Sequence, residues 1–286
     1  MSEHLPQEGE QSTEYWLTRH SKSGKGVESS PGLSEEGVAL AKERAKTIAE
    51  LVNNSVKGSV IFYGGVTSAP RTRSTAEIYV DEVENTLHEE GAEGVRFIKQ
   101  AEIKEDTEKS GYLATARSIA SEADSNPDEK VVIELPLFLK EFSMEKYLCE
   151  EDGVTVKPEW QALLDKHGKD YTGAIREWFD NKNGSIDPRQ MAEEYLSGMR
   201  RLADFSRRFF PNRPIKIGLV GHSFIIDALL TYIANNNEIS SEGFDKIGGD
   251  VVGETELATI EFDKDSNPVL NYRGQTFSKE ADEASE

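Results

Sequence analysis

Tyr15-Trp16-Leu17-Thr18-Arg19-His20-Ser21 is a short apolar run that stops on a cation and an imidazole. Residues Tyr15 to Thr18 read as a buried strand. The segment that follows, Ser21-Lys22-Ser23-Gly24-Lys25-Gly26, is small and polar and cannot prolong it. The Arg-His pair therefore stands at the carboxyl end of a strand, the edge where open α/β sheets hold ligands. Arginine is rarely buried without a partner, so Arg19 is expected to face an anion.

Two segments downstream repeat this design. Val60-Ile61-Phe62-Tyr63 is followed by Thr67-Ser68-Ala69-Pro70-Arg71-Thr72-Arg73-Ser74-Thr75-Ala76-Glu77, and Ile217-Gly218-Leu219-Val220 runs into Gly221-His222-Ser223. Three strand-like runs thus end in groups suited to a phosphate. Together they resemble the histidine phosphatase superfamily, in its phosphoglycerate mutase-like branch. Arg19-His20 matches that family's Arg-His-Gly, with Ser21 standing where the family has glycine. Arg71 with Thr75-Ala76 matches its second motif, Gly221-His222 its third, and Leu33-Ser34-Glu35-Glu36-Gly37 its Leu-Thr-x-x-Gly. The resemblance covers about 14–80 and 213–262 and is weak over 90–210.

The resemblance implies a three-layer α/β/α fold with a mostly parallel sheet and a largely helical insertion over the active site. It implies a metal-independent phosphatase acting on phosphomonoesters through a phosphohistidine on His20. The alternatives are a phosphoglycerate mutase-like phosphotransferase and a non-catalytic phosphate- or phosphopeptide-binding module. The Ser-x-Trp-Asn run that follows Arg-His-Gly in mutases is absent from Ser21 to Gly26, which favours the phosphatase.

The residues support these roles independently. An imidazole can attack phosphorus and split one displacement into two. Arg19 and Arg71 offer guanidinium forks that match two phosphoryl oxygens. Arg73, two residues from Arg71, would point elsewhere on a helix. His222 sits between a strand and a helix, so it is the candidate second imidazole. Backbone N–H groups at Ser223 and Phe224 are a potential anion site at the helix start. The reaction also needs an acid for the leaving oxygen. Glu105, in Ile103-Lys104-Glu105, and Glu141, in Leu139-Lys140-Glu141-Phe142, are both open candidates, with Glu105 placed first. His4, His88 and His167 have no comparable context. No paired His, Cys or carboxylate spacing marks a metal site, no cofactor is implied, and no Gly-x-x-x-x-Gly-Lys-Ser loop is present.

Composition narrows the partners. With 33 basic and 53 acidic residues the chain carries a net charge of −20, which disfavours nucleic acid and anionic membranes. The expected partner is a small phosphorylated substrate or phosphopeptide. One cysteine, Cys149, excludes an internal disulfide framework and suits a reducing, cytoplasmic setting. Met1 to Glu14 has no apolar core of a signal peptide. The apolar stretch from Ile217 to Ala234 contains His222, Ser223 and Asp227 and is too short and polar to span a bilayer.

In order, residues 1–13 read as a disordered tail, 14–276 as one domain with an insertion at about 90–210, and 277–286 as a second tail. A helix starts near Ser34 with Val38, Ala41, Ala45, Ile48 and Val52 inward. A second starts near Pro70 with Ala76, Tyr79, Val83 and Leu87 inward. Val95 to Ile98 reads as a strand, Tyr112 to Ala123 as a helix, and Val131 to Leu135 as a strand or buried helical turn. Glu159–His167 and Tyr171–Asp180 read as short helices. Met191 to Phe210 reads as a longer one with Tyr195, Met199, Leu202, Phe205 and Phe209 inward. A helix from Ser223 to Ala234 and an edge strand from Glu256 to Phe262, with Val269 to Tyr272 beside it, close the fold.

Overall fold

A computed structural model describes residues 13–25, 27–137, 139–143, 145–148, 157–168, 170–180, 187–263 and 265–279. Its elements run β1 (Thr13–Arg19), α1 (Glu35–Asn54), β2 (Val60–Gly65), α2 (Pro70–Glu89), β3 (Val95–Ile98), α3 (Gln100–Ser110), α4 (Tyr112–Ser125) and β4 (Lys130–Glu134). A 3₁₀ turn (Lys140–Phe142), α5 (Glu145–Leu148), α6 (Pro158–His167), α7 (Tyr171–Asp180), α8 (Pro188–Phe209), β5 (Ile215–Gly221) and α9 (Ser223–Ala234) follow. The chain ends with α10 (Ser241–Lys246), β6 (Leu257–Phe262), β7 (Pro268–Tyr272) and β8 (Gln275–Phe277).

The eight strands form one sheet in the order β3-β4-β2-β5-β1-β6-β7-β8. The first five are mutually parallel, and β6, β7 and β8 continue antiparallel beyond β1. Alternation along the strands divides the core into two layers. Trp16, Ile61, Tyr63, Val132 and Val220 pack with the inner faces of α1 and α2. Tyr15, Leu17, Phe62, Ile133, Ile217 and Leu219 pack with α8 and α9 on the other face. The expected three-layer α/β/α architecture is the one observed.

The helix starts follow local chemistry. The Ser34 hydroxyl accepts the Gly37 N–H at 3.0 Å and caps α1, and Pro70 opens α2 where its missing N–H costs nothing. The inward positions of α2 are all buried, whereas Val38 of α1 is half-buried.

Three expectations need correction. The segment 90–210 is not simply a roof: the expected strand Val95–Ile98 is β3, and of the two readings left open for Val131 to Leu135 the strand holds, as β4, with Val131 and Ile133 packing one face and Val132 the other, so that both complete one side of the sheet. The inner stripe of α8 runs through Met191, Tyr195, Met199, Ala203 and Ser206, leaving Phe205 38% exposed and stacked on Phe209 with ring centroids 4.8 Å apart. β6 is interior, because β7 and β8 add two more strands outside it. Of the two expected tails, residues 1–12 and 280–286 lie outside the described residues, as does Cys149; Thr13 and Phe277 lie in strands.

Close approach of β2 to the chain leaving β4 requires glycine. A Cβ on Gly64 would stand 1.8 Å from the Leu135 carbonyl oxygen, which is main chain and cannot step aside. Gly64→Ala is expected to lower stability by about 1–3 kcal/mol, the usual cost of overpacking. The check is a urea midpoint, and an unchanged midpoint would contradict this packing.

Candidate active site

β1 and β5 are neighbours in register, so Arg19 stands opposite Gly221 and the two histidines leave the sheet side by side. The His20 N–H donates to the Gly221 carbonyl at 2.9 Å. The two imidazoles meet edge to face with centroids 5.0 Å apart. Arg71, in the first turn of α2, reaches across: its Nε lies 3.1 Å from His20 Nε2 and its Nη2 3.4 Å from His222 Nδ1. Arg73 is exposed on the opposite side of α2. His20, Arg71 and His222, from three separated segments, thus share one pocket at the carboxyl edge.

The hydrogen bonds fix both tautomers. His20 Nδ1 is 2.7 Å from the Ser21 carbonyl, which can only accept, so Nδ1 carries the proton. Nε2 then holds a lone pair, and it accepts the Arg71 Nε–H. A guanidinium only donates, so His222 Nδ1 is likewise an acceptor, and His222 Nε2 donates to Thr67 Oγ1 at 3.1 Å. Thr67 in turn contacts Thr72 Oγ1 at 3.1 Å, which bonds the Ala69 carbonyl at 2.8 Å.

Electrostatics keep both rings neutral. Burial lowers the His20 pKa to about 4, with the Arg71 and Arg19 charges acting in the same direction and the Ser21 contact opposing them. Burial, then Arg71, His20 and Arg19, push His222 down to about 2. At neutral pH His20 is an unprotonated imidazole with its free nitrogen beside a guanidinium.

Ser21, which takes the place of a glycine, does not project into this pocket. Its hydroxyl donates to the Gly37 carbonyl on α1 at 2.6 Å, and its N–H donates to Thr75 Oγ1 at 3.1 Å. Thr75 itself bonds the Arg71 carbonyl at 2.7 Å, so the first two motifs are tied together. Arg19 Nη1 donates to the Val252 carbonyl at 2.8 Å, while its buried Nε has no partner among the described residues.

His222 is the residue before α9 and caps it with no side-chain hydrogen bond, so Ser223 and Phe224 hold the first N–H groups of that helix. Phe224 is also where the roof sits. Trp160 of α6 and Trp178 of α7 pack edge-on against it, at 4.8 Å and 6.1 Å, and Tyr171 lies 6.1 Å away.

The two candidate acids are not brought to His20 or His222. Glu105 lies on the exposed face of α3 and pairs with Lys109 at 2.6 Å. α3 follows β3, three strand spacings or about 14 Å from β5. Glu141 pairs with Arg201 of α8, beside Phe142, which packs on Tyr195; Phe138 lies outside the described residues. Glu134, a carboxylate the motifs did not mark, is buried at the end of β4, where desolvation raises its pKa and the Gln100 N–H binds it at 3.2 Å. Its place is the start of α3. Glu105→Gln is therefore expected to change kcat/KM on alkyl phosphates by less than about twofold, since a general acid would have contributed about a hundredfold or more. A selective loss on alkyl but not aryl phosphates would return the role to Glu105.

Thr67 and Asp227 are site-related residues that the motifs missed. Thr67 was legible only as the hydroxyl four positions before Arg71. Asp227 stands out as the one carboxylate in the apolar run of α9. Among the described residues no group of three or more His, Cys, Asp or Glu side chains could share a metal ion, and no helix is long and apolar enough to cross a membrane.

Two neutral histidines from the ends of β1 and β5, Arg19 from the end of β1 and Arg71 from the start of α2 thus stand at one edge of the sheet. Comparison with known proteins gives no match to any family model and none to any curated protein. Among solved structures the chain is similar to a mycobacterial hydrolase, at 13% identity over 93% of this chain and 99% of that one, with a TM-score of 0.47. It is similar also to a phosphoglycerate mutase from Bacillus anthracis, at 12% identity over 92% and 93%, TM-score 0.43. A mycobacterial glucosyl-3-phosphoglycerate phosphatase matches at 14% identity over 86% and 92%, TM-score 0.38.

Proposed function

We propose that this chain is a phosphatase of the histidine phosphatase type, hydrolysing phosphomonoesters without a metal through a phosphohistidine on His20. The observation that carries the reading is the Arg71 guanidinium set between two neutral imidazoles, with the His20 Nε2 lone pair facing it. Arg71 and Arg19 supply positive charge where three phosphoryl oxygens would sit. An entering phosphoryl group takes the guanidinium and frees His20 Nε2. The lone pair attacks phosphorus, the P–O bond to the organic group breaks, and the leaving oxygen departs with that electron pair and takes its proton from solvent water. Water then attacks phosphorus, the P–N bond breaks and its electron pair returns to Nε2, and the phosphate that departs keeps one of the water's protons and releases the other to solvent. Burial is the main cause that holds His222 down, followed by Arg71, His20 and Arg19; the anion opposes those charges and so raises the affinity of Nδ1 for a proton.

The positions of Glu105 and Glu141 favour a particular kind of substrate. Donors whose leaving group is stable as an anion, such as aryl or acyl phosphates, need little help from an acid. A panel of such donors and alkyl phosphates, run in EDTA, tests the proposal. Turnover that survives chelation supports it. Loss of turnover with rescue by magnesium or zinc overturns it, and phosphate binding without turnover on any donor would make the pocket a binding module.

A further inference from the structure

α9 carries a carboxylate that the proposed chemistry does not use. Asp227 is fully buried in the otherwise apolar run Phe224-Ile225-Ile226-Asp227-Ala228-Leu229-Leu230. A buried carboxyl is costly unless it is hydrogen-bonded or paired. Its Oδ1 accepts the Val252 N–H at 2.7 Å, and its Oδ2 is buried with no hydrogen-bond partner among the described residues. The carbonyl of the same Val252 accepts Arg19 Nη1 at 2.8 Å. Three residues on, the Thr255 N–H donates to the Arg19 carbonyl at 3.1 Å. The segment 252–255 therefore grips Arg19 by both side chain and main chain, and Asp227 is the post to which it is tied from inside. On the outside Arg273 holds the preceding turn through the carbonyls of Ile247, Asp250 and Val251, and pairs with Glu256 at 2.7 Å.

We propose that Asp227 is a positioning residue: through the Val252 main chain it sets where the Arg19 guanidinium lies, and so how tightly the pocket holds a phosphate-like anion. This rests on the reading of the pocket as an oxyanion site. With only Nη1 engaged by Val252, the Arg19 guanidinium keeps further N–H donors for a ligand, its buried Nε having no partner among the described residues. The charged groups acting on Asp227 are Arg19 from β1, Arg273 from the turn before β8, and Glu256 before β6. Burial outweighs the two arginines and raises its pKa to about 8. Below that value Asp227 is neutral and leaves the full Arg19 charge to the ligand. Above it, a carboxylate beside Arg19 competes with the ligand for that charge.

Orthophosphate binding to the full chain, measured by calorimetry, tests this without requiring turnover. The four proteins are the wild type, Asp227→Leu, Arg19→Ala and the double variant. Asp227→Leu is expected to weaken binding about tenfold alone and less than about twofold in the Arg19→Ala background, since a residue acting through another has no effect once that other is gone. Equal losses in both backgrounds, or no loss in either, overturn the proposal. If the leucine variant does not fold, Asp227→Asn carries the test, because it keeps the Oδ1 acceptor but cannot ionise. Its affinity relative to wild type is expected to rise above about pH 8, and a constant ratio overturns the link to Arg19. Wild type that binds phosphate but turns nothing over refutes the hydrolase reading and leaves this inference standing. Wild type that binds no phosphate refutes both.

Discussion

His20→Ala is expected to abolish turnover, with kcat/KM on an aryl phosphate falling by more than about a hundredfold, because losing a covalent nucleophile removes several kcal/mol of barrier lowering. The reason lies in three contacts. The ring is buried and neutral, its Nδ1 proton is committed to the Ser21 carbonyl, and its Nε2 lone pair faces Arg71. His222 is the weaker nucleophile: its Nδ1 lone pair also meets Arg71, but burial and the neighbouring charges push its pKa to about 2, below that of His20. The variant should still bind phosphate, because Arg19 and Arg71 remain. Retained binding without turnover separates loss of the nucleophile from loss of the fold. In the wild type the acid limb of kcat/KM reports His20 taking up a proton, and it is expected at about 4, well below the usual imidazole value. A residual rate above about a hundredth of normal in His20→Ala would contradict direct attack by this ring.

Arg71→Ala is the second large effect, a loss of about a hundredfold to a thousandfold, the range seen when a preorganised donor to developing negative charge is removed. This guanidinium touches both imidazoles, so it aligns the nucleophile and receives the phosphoryl oxygens together. Arg71→Lys keeps the charge but loses the planar fork and is expected to recover only part of the rate. The variant has a second signature. The Arg71 charge is among the causes that lower both histidines. Its removal lets His20 protonate more readily, so the acid limb of the pH profile must move upward. Arg73→Ala, on the exposed side of the same helix turn, is expected to leave both rate and profile nearly unchanged. A pH profile that stays fixed in Arg71→Ala would contradict the placement of its charge beside His20.

The site was legible wherever a strand handed its last residue to a short loop. Arg19-His20 and Gly221-His222 end adjacent parallel strands, so strand identity alone fixed where those side chains go. Helical geometry implies that only one of Arg71 and Arg73 enters the site, and the family resemblance, counted back from Thr75, selects Arg71; the structure turns Arg71 to the histidines and Arg73 to solvent. The glutamates were illegible for a physical reason. A general acid is placed by loop geometry, and in a chain with 53 acidic residues no spacing distinguishes one carboxylate from its neighbours. Glu105 proved to sit on a helix whose inner face is made by Ile103, packed against the core, so its own side chain points to water. The strand β4 was half-legible, because Val131-Val132-Ile133 is apolar on both faces and has no period to read. Thr67 and Val252 act through a hydroxyl and a main-chain carbonyl, and neither leaves a pattern in sequence.

The most direct measurement is rapid-quench trapping of the phosphoenzyme. A donor with a labelled phosphoryl group is mixed with the protein in EDTA, the reaction is stopped in base, and the labelled peptide is mapped. The account predicts one labelled peptide containing His20, a label that survives base and is lost in mild acid, and no label in His20→Ala. Turnover with no trapped label, or an acid-stable label on any other residue, would contradict it.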